Sequence, residues 1–554
     1  MRSIVRQALL GCAMLPVVAL VVVTSTSPTA AVPCDPATPV VRTSSGAVCG
    51  IVFNGVNEWL GIPYAAPPVG SLRWAPPQPP APWSATLAAT AFGSICTQPA
   101  VGKSGPNTGS EDCLFINVWA PPGAIGLPVM AHIHGGGFFK GSGNGDNTLL
   151  VNTGNVVVVS MNYRLNIFGF LAHAALGRHS GDYGLQDQQA ALRWVQANIR
   201  AFGGDPDNVT IFGESAGGSS VCHQIASPTA AGLFHKAIST SGEYNTLFGV
   251  PGAPRPGGSE DLELQDCKSD LPTPAEAEHI GFGFATAVGC SSTPDVAACL
   301  RAVPAQMVSD VSSIPGSGYQ YGAQGTVAPT LNGTTLPMTL RQALKKGHVN
   351  RVPVIAGVDR DENLIGFPVT PADYTALVQA QYGKYADEVL GRYPLNRFNS
   401  PFVAWRTVAA DSSTVCAALV TAEALSQWMP VFAYEIDFGD VGTALTGESM
   451  GASHVGSWNL TPVPNLDANR QVLQKQELLY VTSLATTGNP TADGTPVWPE
   501  FKSAVDKNDL PDGDKAKSGL VMSLSAGADS QKTLVAQISL AHNCEFWAKV
   551  SPTP

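Results

Sequence analysis

Four stretches of this chain are apolar almost without interruption. They are VMAHIHG (129–135), NVVVVSMNYR (155–164), NVTIFG (208–213) and VPVIAGV (352–358). A strand with one wet face alternates apolar and polar residues, whereas a continuous run is expected where both faces are covered, as in a parallel sheet between helices. Between these runs, LQDQQAALRWVQANIRAF (185–202) places apolar residues at helical spacing among strong helix formers. Strands alternating with helices from about residue 40 to 550 predict an α/β fold with a large, mostly parallel central sheet flanked by helices. Ligands are then expected at the carboxyl ends of the strands. The stretch 246–282, rich in Pro, Gly and acidic residues, reads as an irregular insertion. No domain boundary stands out, so residues 32–554 read as a single domain.

Composition narrows the class. Of 554 residues, 44% are hydrophobic and 13% charged, which is ample material for a large core. A net charge of -11 argues against a nucleic-acid or anionic-membrane partner. The first residues follow the order of a secretory signal peptide: two arginines in MRSIVRQ, the apolar run ALLGCAMLPVVALVVV, then small residues in TSTSPTAA. Cleavage is expected near Ala31, because an apolar run broken by Pro16 is short for the roughly 20 residues of a membrane span. A secreted protein without a stable membrane anchor follows. Eleven cysteines are present, and ten remain after Cys12 leaves with the leader. An even number in an oxidising compartment points to disulfides. Cys34 and Cys49 are close enough in sequence to be paired as neighbours.

The pattern Gly-x-Ser-x-Gly occurs twice, around Ser215 and around Ser449. Ser215 follows the apolar run VTIF and precedes AGGSSVCHQIA, a small-residue helix start. That is the strand–turn–helix setting in which a serine is exposed as a nucleophile, with Glu214 beside it. Ser449 follows GDVGTALT, which is no buried strand. A serine hydroxyl needs a histidine to take its proton and an acid to orient that histidine, and in this kind of fold the chain order is Ser, acid, His. The acid is expected just after a later strand, where Asp359, Asp361 and Glu362 follow VPVIAGV. Only His454 and His542 come later. His454 lies in the Gly/Ser stretch SMGASHVGS, suited to a loop tip. His542 lies in the helical stretch LVAQISLAHNCEFW, where a packed histidine is expected. His454 is therefore the base. Ser449, five residues before it, leaves no room for an acid from another strand.

The developing oxyanion needs backbone N–H donors. His134-Gly135-Gly136-Gly137-Phe138, directly after a strand, supplies a glycine loop, and the N–H of Ala216 supplies the second side.

These ordered segments resemble the type-B carboxylesterase/lipase family, which includes cholinesterases, carboxylesterases and para-nitrobenzyl esterases. The match also takes in GIPYAAPPVGSLRW (61–74), SEDCLFINVW (110–119), NYRLNIFGF (162–170), FAYEIDF (432–438) and HNCEFW (542–547). The resemblance implies an α/β-hydrolase fold and a Ser215–His454–Glu362 triad. Glu362 follows from the family's G-x-N-x-x-E pattern, here with Asp359 in place of Asn, and this leaves Asp359 and Asp361 as rivals. It assigns the oxyanion donors to Gly136, Gly137 and Ala216, and a supporting role behind the acid–histidine pair to Ser241. It implies ion pairs Arg73–Glu111 and Arg164–Asp187 as scaffold, and disulfides Cys96–Cys113, Cys290–Cys299 and Cys416–Cys544. Cys222 and Cys267 remain unassigned. The Cys96–Cys113 loop holds no aromatic residue, so a choline-stacking site of the kind cholinesterases carry there is absent. No zinc-ligand cluster or EF-hand spacing occurs, so no metal or cofactor is expected.

The expected activity is hydrolysis of a small-molecule or lipid-like ester by an acyl-enzyme route. A lipase, sterol esterase or polyester hydrolase would share that mechanism. A cholinesterase-like adhesion module would have lost the nucleophile, and here Ser215, Glu362 and His454 are all present.

Overall fold

The computed structural model describes residues 34–35, 38–98, 107–242, 271–312, 329–360, 369–437, 460–461, 466–501, 519–525 and 530–550. The expected leader and the positions Asp361, Glu362, Ser449 and His454 lie outside the described residues.

The strands are β1 (Val40–Arg42), β2 (Ala47–Cys49), β3 (Ile51–Phe53), β4 (Val56–Pro63), β5 (Leu87–Ala88), β6 (Phe115–Ala120) and β7 (Leu127–Ile133). They continue as β8 (Val157–Met161), β9 (Gly204–Glu214), β10 (Lys236–Thr240), β11 (Val354–Asp359), β12 (Val431–Ile436), β13 (Leu520–Leu524) and β14 (Gln531–Leu534). Eleven form one sheet in the order β14-β13-β12-β11-β10-β9-β7-β8-β6-β4-β3, while β1, β2 and β5 make a small separate sheet. From β8 through β13 the neighbours are parallel, and antiparallel pairs occur only towards the two edges. The mostly parallel sheet expected from the uninterrupted apolar runs is present.

The helices that matter here are α1 (Tyr183–Asn198), α2 (Ala216–Ala226), α3 (Pro274–Ala287), α4 (Pro401–Ala410), α5 (Cys416–Ser426), α6 (Ala468–Thr487), α7 (Val535–Ala541) and α8 (Cys544–Val550). One face of the sheet packs with α1, α2 and α5: Ala131, Ile133, Val159, Ile211 and Ala356 lie in one core with Leu192, Val221, Ile225 and Leu425. The other face packs against α6, where Met130, Val158, Phe212 and Ile355 share a core with Leu473, Tyr480, Val481 and Leu484. Successive strand residues therefore enter different cores, which is why the strand sequences show no polar alternation. Part of the stretch read as irregular is helical. From Pro274 it is α3, started by a capping box in which Thr273 and Glu276 bond each other's backbone, with Pro274 in the first turn.

The four predicted disulfides are present: Cys34–Cys49, Cys96–Cys113, Cys290–Cys299 and Cys416–Cys544. Cys222 is disulfide-bonded too, while Cys267 lies outside the described residues. Both predicted ion pairs form. Arg164 meets Asp187 with two 2.8 Å hydrogen bonds, and Arg73 meets Glu111 at 2.5 and 2.7 Å. The run Pro401–Ser426 is long and apolar enough to span a membrane, but most of it is buried within the protein, as in a core helix.

His542 is buried as expected, but it is not a merely packed histidine. Its Nδ1 lies 2.5 Å from Asp411 Oδ1, on the π-helical turn Asp411–Val415 between α4 and α5. Its Nε2 lies 2.9 Å from Glu435 Oε1 of β12, an ion-pair contact off the hydrogen-bond axis. The Tyr393 hydroxyl donates to the second Asp411 oxygen at 2.7 Å. Burial alone would lower the histidine pKa; the hydrogen bond to Asp411 and the negative charge of Asp411 and Glu435 outweigh it and raise it to about 10. A folded-state pKa above the unfolded value contributes stability that is complete below about pH 6.5 and fades as pH rises through about 10. We expect His542→Gln to destabilise the protein at pH 7 by about 3 kcal/mol or more, because two buried carboxylates lose their cation. Denaturant unfolding at pH 7 and pH 10 should show wild type losing much of that difference and the variant losing little. Equal losses in both proteins would contradict the assignment.

Candidate active site

Strand β9 ends at Glu214, and the chain turns at Ser215 directly into α2. Ser215 has φ 59° and ψ -127°, a backbone conformation that is strained for any residue with a side chain. Two hydrogen bonds hold it there: its N–H donates to Thr240 O at 2.9 Å, and its carbonyl accepts from Ser219 N–H at 2.9 Å. The serine side chain makes no capping bond to the helix it precedes. The turn is possible because α2 approaches the sheet closely. A Cβ on Gly217 would lie 2.1 Å from Ile133 O, and one on Gly213 2.6 Å from the same oxygen, so both positions require glycine. The first amides of α2, led by Ala216 N–H, also carry the positive end of an 11-residue helix, which favours negative charge.

The glycine loop leaves the end of the neighbouring strand β7, whose last residue Ile133 is in register with Gly213. It comes up against the elbow: a Cβ on Gly135 would lie 3.2 Å from Ser215 Cβ. Beyond it the chain turns sharply, with positive φ at Gly136 (104°), Gly137 (64°) and Phe138 (61°). Gly136 O accepts the N–H groups of Phe139 and Lys140 at 3.2 and 3.1 Å. Phe138 is buried and packs edge-on against Phe170 at 5.4 Å, a contact that holds its strained backbone. Ser215 and the loop of Gly136 and Gly137 thus come together, with Ala216 on the other side of the serine.

The other expected positions divide. Ser241 is buried with φ 45°, and its N–H donates to Gly357 O at 2.8 Å; its hydroxyl finds no partner among the described residues. Glu214 is half-buried beside the serine. Asp359 is the last residue of β11 and fully buried. The strand leading to Glu362 and the one leading to His454 are β11 and β12, which are parallel and adjacent in the sheet. Among the described residues no group of three His, Cys, Asp or Glu side chains is arranged to hold a metal ion.

Three histidines in this region are kept neutral by burial. It lowers the pKa of His132 to about 4, of His134 to about 3 and of His223 to about 4. The sequence reading used His134 only as the start of the glycine loop and did not single out Tyr163, yet both side chains touch that loop. Tyr163 belongs to the segment NYRLNIFGF, which the sequence reading used only as a match to the family.

A strained serine between a parallel strand and a helix, faced by a tight glycine loop, suits nucleophilic attack on a carbonyl carbon. Comparison with known proteins agrees. Residues 37–517 match the Carboxylesterase family. The chain is 34% identical to the para-nitrobenzyl esterase of Bacillus subtilis (strain 168), over 83% of this chain and 92% of that protein. It is 32% identical to carboxylesterase 1D of Rattus norvegicus, over 84% of this chain and 88% of that one. The solved structure of a PNB esterase superposes with a TM-score of 0.71 at 29% identity, covering 92% of this chain and all of the other. The chain belongs to the carboxylesterase family, with its α/β-hydrolase fold, and is a carboxylic ester hydrolase.

Proposed function

We propose that this protein is a secreted serine carboxylesterase that cleaves neutral or hydrophobic carboxylic esters through an acyl-enzyme. In this reading Ser215 is the nucleophile, His454 the base and Glu362 the acid that orients His454. The observation that carries it is the elbow: Ser215 is held in a strained turn, with the amides of α2 behind it and the glycine loop against it. The leader and the four disulfides support export.

The reaction then runs in two halves. Ser215 gives its hydroxyl proton to His454 as its oxygen bonds to the ester carbon, and the carbonyl electrons move onto the oxygen. The N–H groups of Gly136, Gly137 and Ala216 receive that negative charge. His454 passes the proton to the alcohol oxygen as the ester C–O bond breaks, leaving Ser215 acylated. Water gives a proton to His454 while attacking the acyl carbon. The proton returns to Ser215 as the acid departs. Glu362 keeps the imidazole oriented and stabilises its charged form.

Three outcomes are expected. Ser215→Ala should lower kcat/KM for p-nitrophenyl acetate by about 10⁴-fold or more with an unchanged circular dichroism spectrum; activity within tenfold of wild type would remove the reading. Among the candidate acids, Glu362→Gln should lower kcat far more than Asp361→Asn in the same assay, and the reverse order would move the acid. Across p-nitrophenyl esters of increasing acyl length, kcat/KM should fall once the chain exceeds about four carbons. Each methylene that a pocket accepts is worth about 0.8 kcal/mol, so a steady rise with length would point to a lipase instead.

A further inference from the structure

The glycine loop and the nucleophile helix come from different strands, yet the oxyanion needs donors from both in one fixed geometry. We infer that His134 and Tyr163 are positioning residues that lock the Gly135–Gly136 peptide, and with it the Gly136 N–H, relative to Ser215. This rests on the proposed oxyanion donors and deepens that reading.

The geometry starts at His134, which is buried at 4% exposure. Its Nδ1 lies 2.8 Å from Gly135 O. A carbonyl can only accept, so Nδ1 carries the proton. With the ring neutral, Nε2 is bare, and that atom is buried without a hydrogen-bond partner. The imidazole thus spends its one N–H on one carbonyl. Gly135 C=O and Gly136 N–H belong to the same planar trans peptide and point in opposite directions. Fixing the carbonyl towards His134 therefore fixes the N–H away from it.

Tyr163 holds the histidine in turn. The two rings stack with centroids 4.3 Å apart and planes 20° from parallel. The Tyr163 hydroxyl donates to the backbone oxygen of His134 at 2.8 Å, with the tyrosine fully buried. The same hydroxyl interacts with Ser220 of α2. Ser220 itself donates to Ala216 O at 2.8 Å and accepts from Gln188 at 3.0 Å. One phenol thus bonds the root of the glycine loop and lies beside Ser220, which bonds back to the first residue of the nucleophile helix. At the far end of the loop, Gln98 grips Gly141 through both its N–H and its carbonyl, at 3.0 and 2.9 Å. A loop with three positive-φ residues in succession would otherwise have other turns open to it, since glycine restricts its own backbone so little.

The test separates positioning from plain structural support. In Tyr163→Phe the stack survives and the hydroxyl is lost. His134→Leu removes the donor to Gly135 O. His134→Asn gives up the ring stack but puts an amide N–H near the Nδ1 position, and because Nε2 has no partner no other hydrogen bond is lost. For p-nitrophenyl acetate we expect kcat to fall about tenfold in Tyr163→Phe and about 30-fold in His134→Leu, with KM within about twofold, a fraction of the 10²–10³ seen when an oxyanion donor is deleted outright. His134→Asn should recover most of the loss. Affinity for an aryl trifluoromethyl ketone, which forms a tetrahedral adduct with the serine, should fall in step with kcat. Unchanged kcat in Tyr163→Phe and His134→Leu beside a lowered Tm, or His134→Asn no better than His134→Leu, would overturn the inference. Should His134→Leu not fold, Tyr163→Phe decides alone, since it removes a single oxygen. Wild-type protein that forms no ketone adduct would instead count against Ser215 as nucleophile.

Discussion

The site depends on how closely helix α2 approaches the sheet. A residue at φ 59°, ψ -127° is tolerated only when its surroundings over-determine it, and here those surroundings are made by two missing side chains. Gly217 and Gly213 allow the helix and the strand to meet around Ile133 O at distances no Cβ would permit. That approach lifts Ser215 off both elements while its backbone stays bonded to Thr240 on β10. It also carries the last residue of β7 next to the elbow, so the glycine loop that follows has one place to go. Strand register, the loop's position and the orientation of the first α2 amides are then consequences of one packing distance.

Electrostatics sorts the histidines around this frame. Near the glycine loop, desolvation keeps His132, His134 and His223 neutral, and no carboxylate among the described residues offsets it. Neutral rings suit a site that collects negative charge from backbone dipoles, because each ring keeps a fixed donor and a fixed acceptor. His542 is as buried as these but lies between Asp411 and Glu435, and it holds its charge well above neutral pH. That cluster joins the π-helical turn, β12 and the C-terminal helices beside the Cys416–Cys544 bridge. Charge there serves cohesion; near Ser215 its absence serves orientation.

Much of this was legible in the sequence where the signal is local. Uninterrupted apolar runs marked the doubly covered strands because residues facing each of the two cores are apolar. The strand before and the small residues after Ser215 marked the elbow, for the steric reason that Gly217 makes explicit. The four disulfides came from resemblance and from neighbourhood, and geometry agrees with them. The helix at Pro274 does carry a local signal, the capping box of Thr273, Pro274 and Glu276, but the acidic, Gly-rich residues before it make the stretch read as irregular. Two features had no local signal. His542 meets Asp411 across 131 residues, and Tyr163 meets His134 across 29, so neither partner could be recognised from spacing. The proposal of Glu362 as acid and His454 as base rests on chain order and on resemblance.

The central claim is that one strained serine performs the chemistry. Treating the purified protein with a fluorophosphonate and mapping the adduct by peptide mass spectrometry tests it without any substitution. The account predicts one phosphonyl group per chain, on the peptide containing Ser215, with esterase activity lost in proportion to labelling. Label on the peptide containing Ser449, or full loss of activity with Ser215 unmodified, would contradict it.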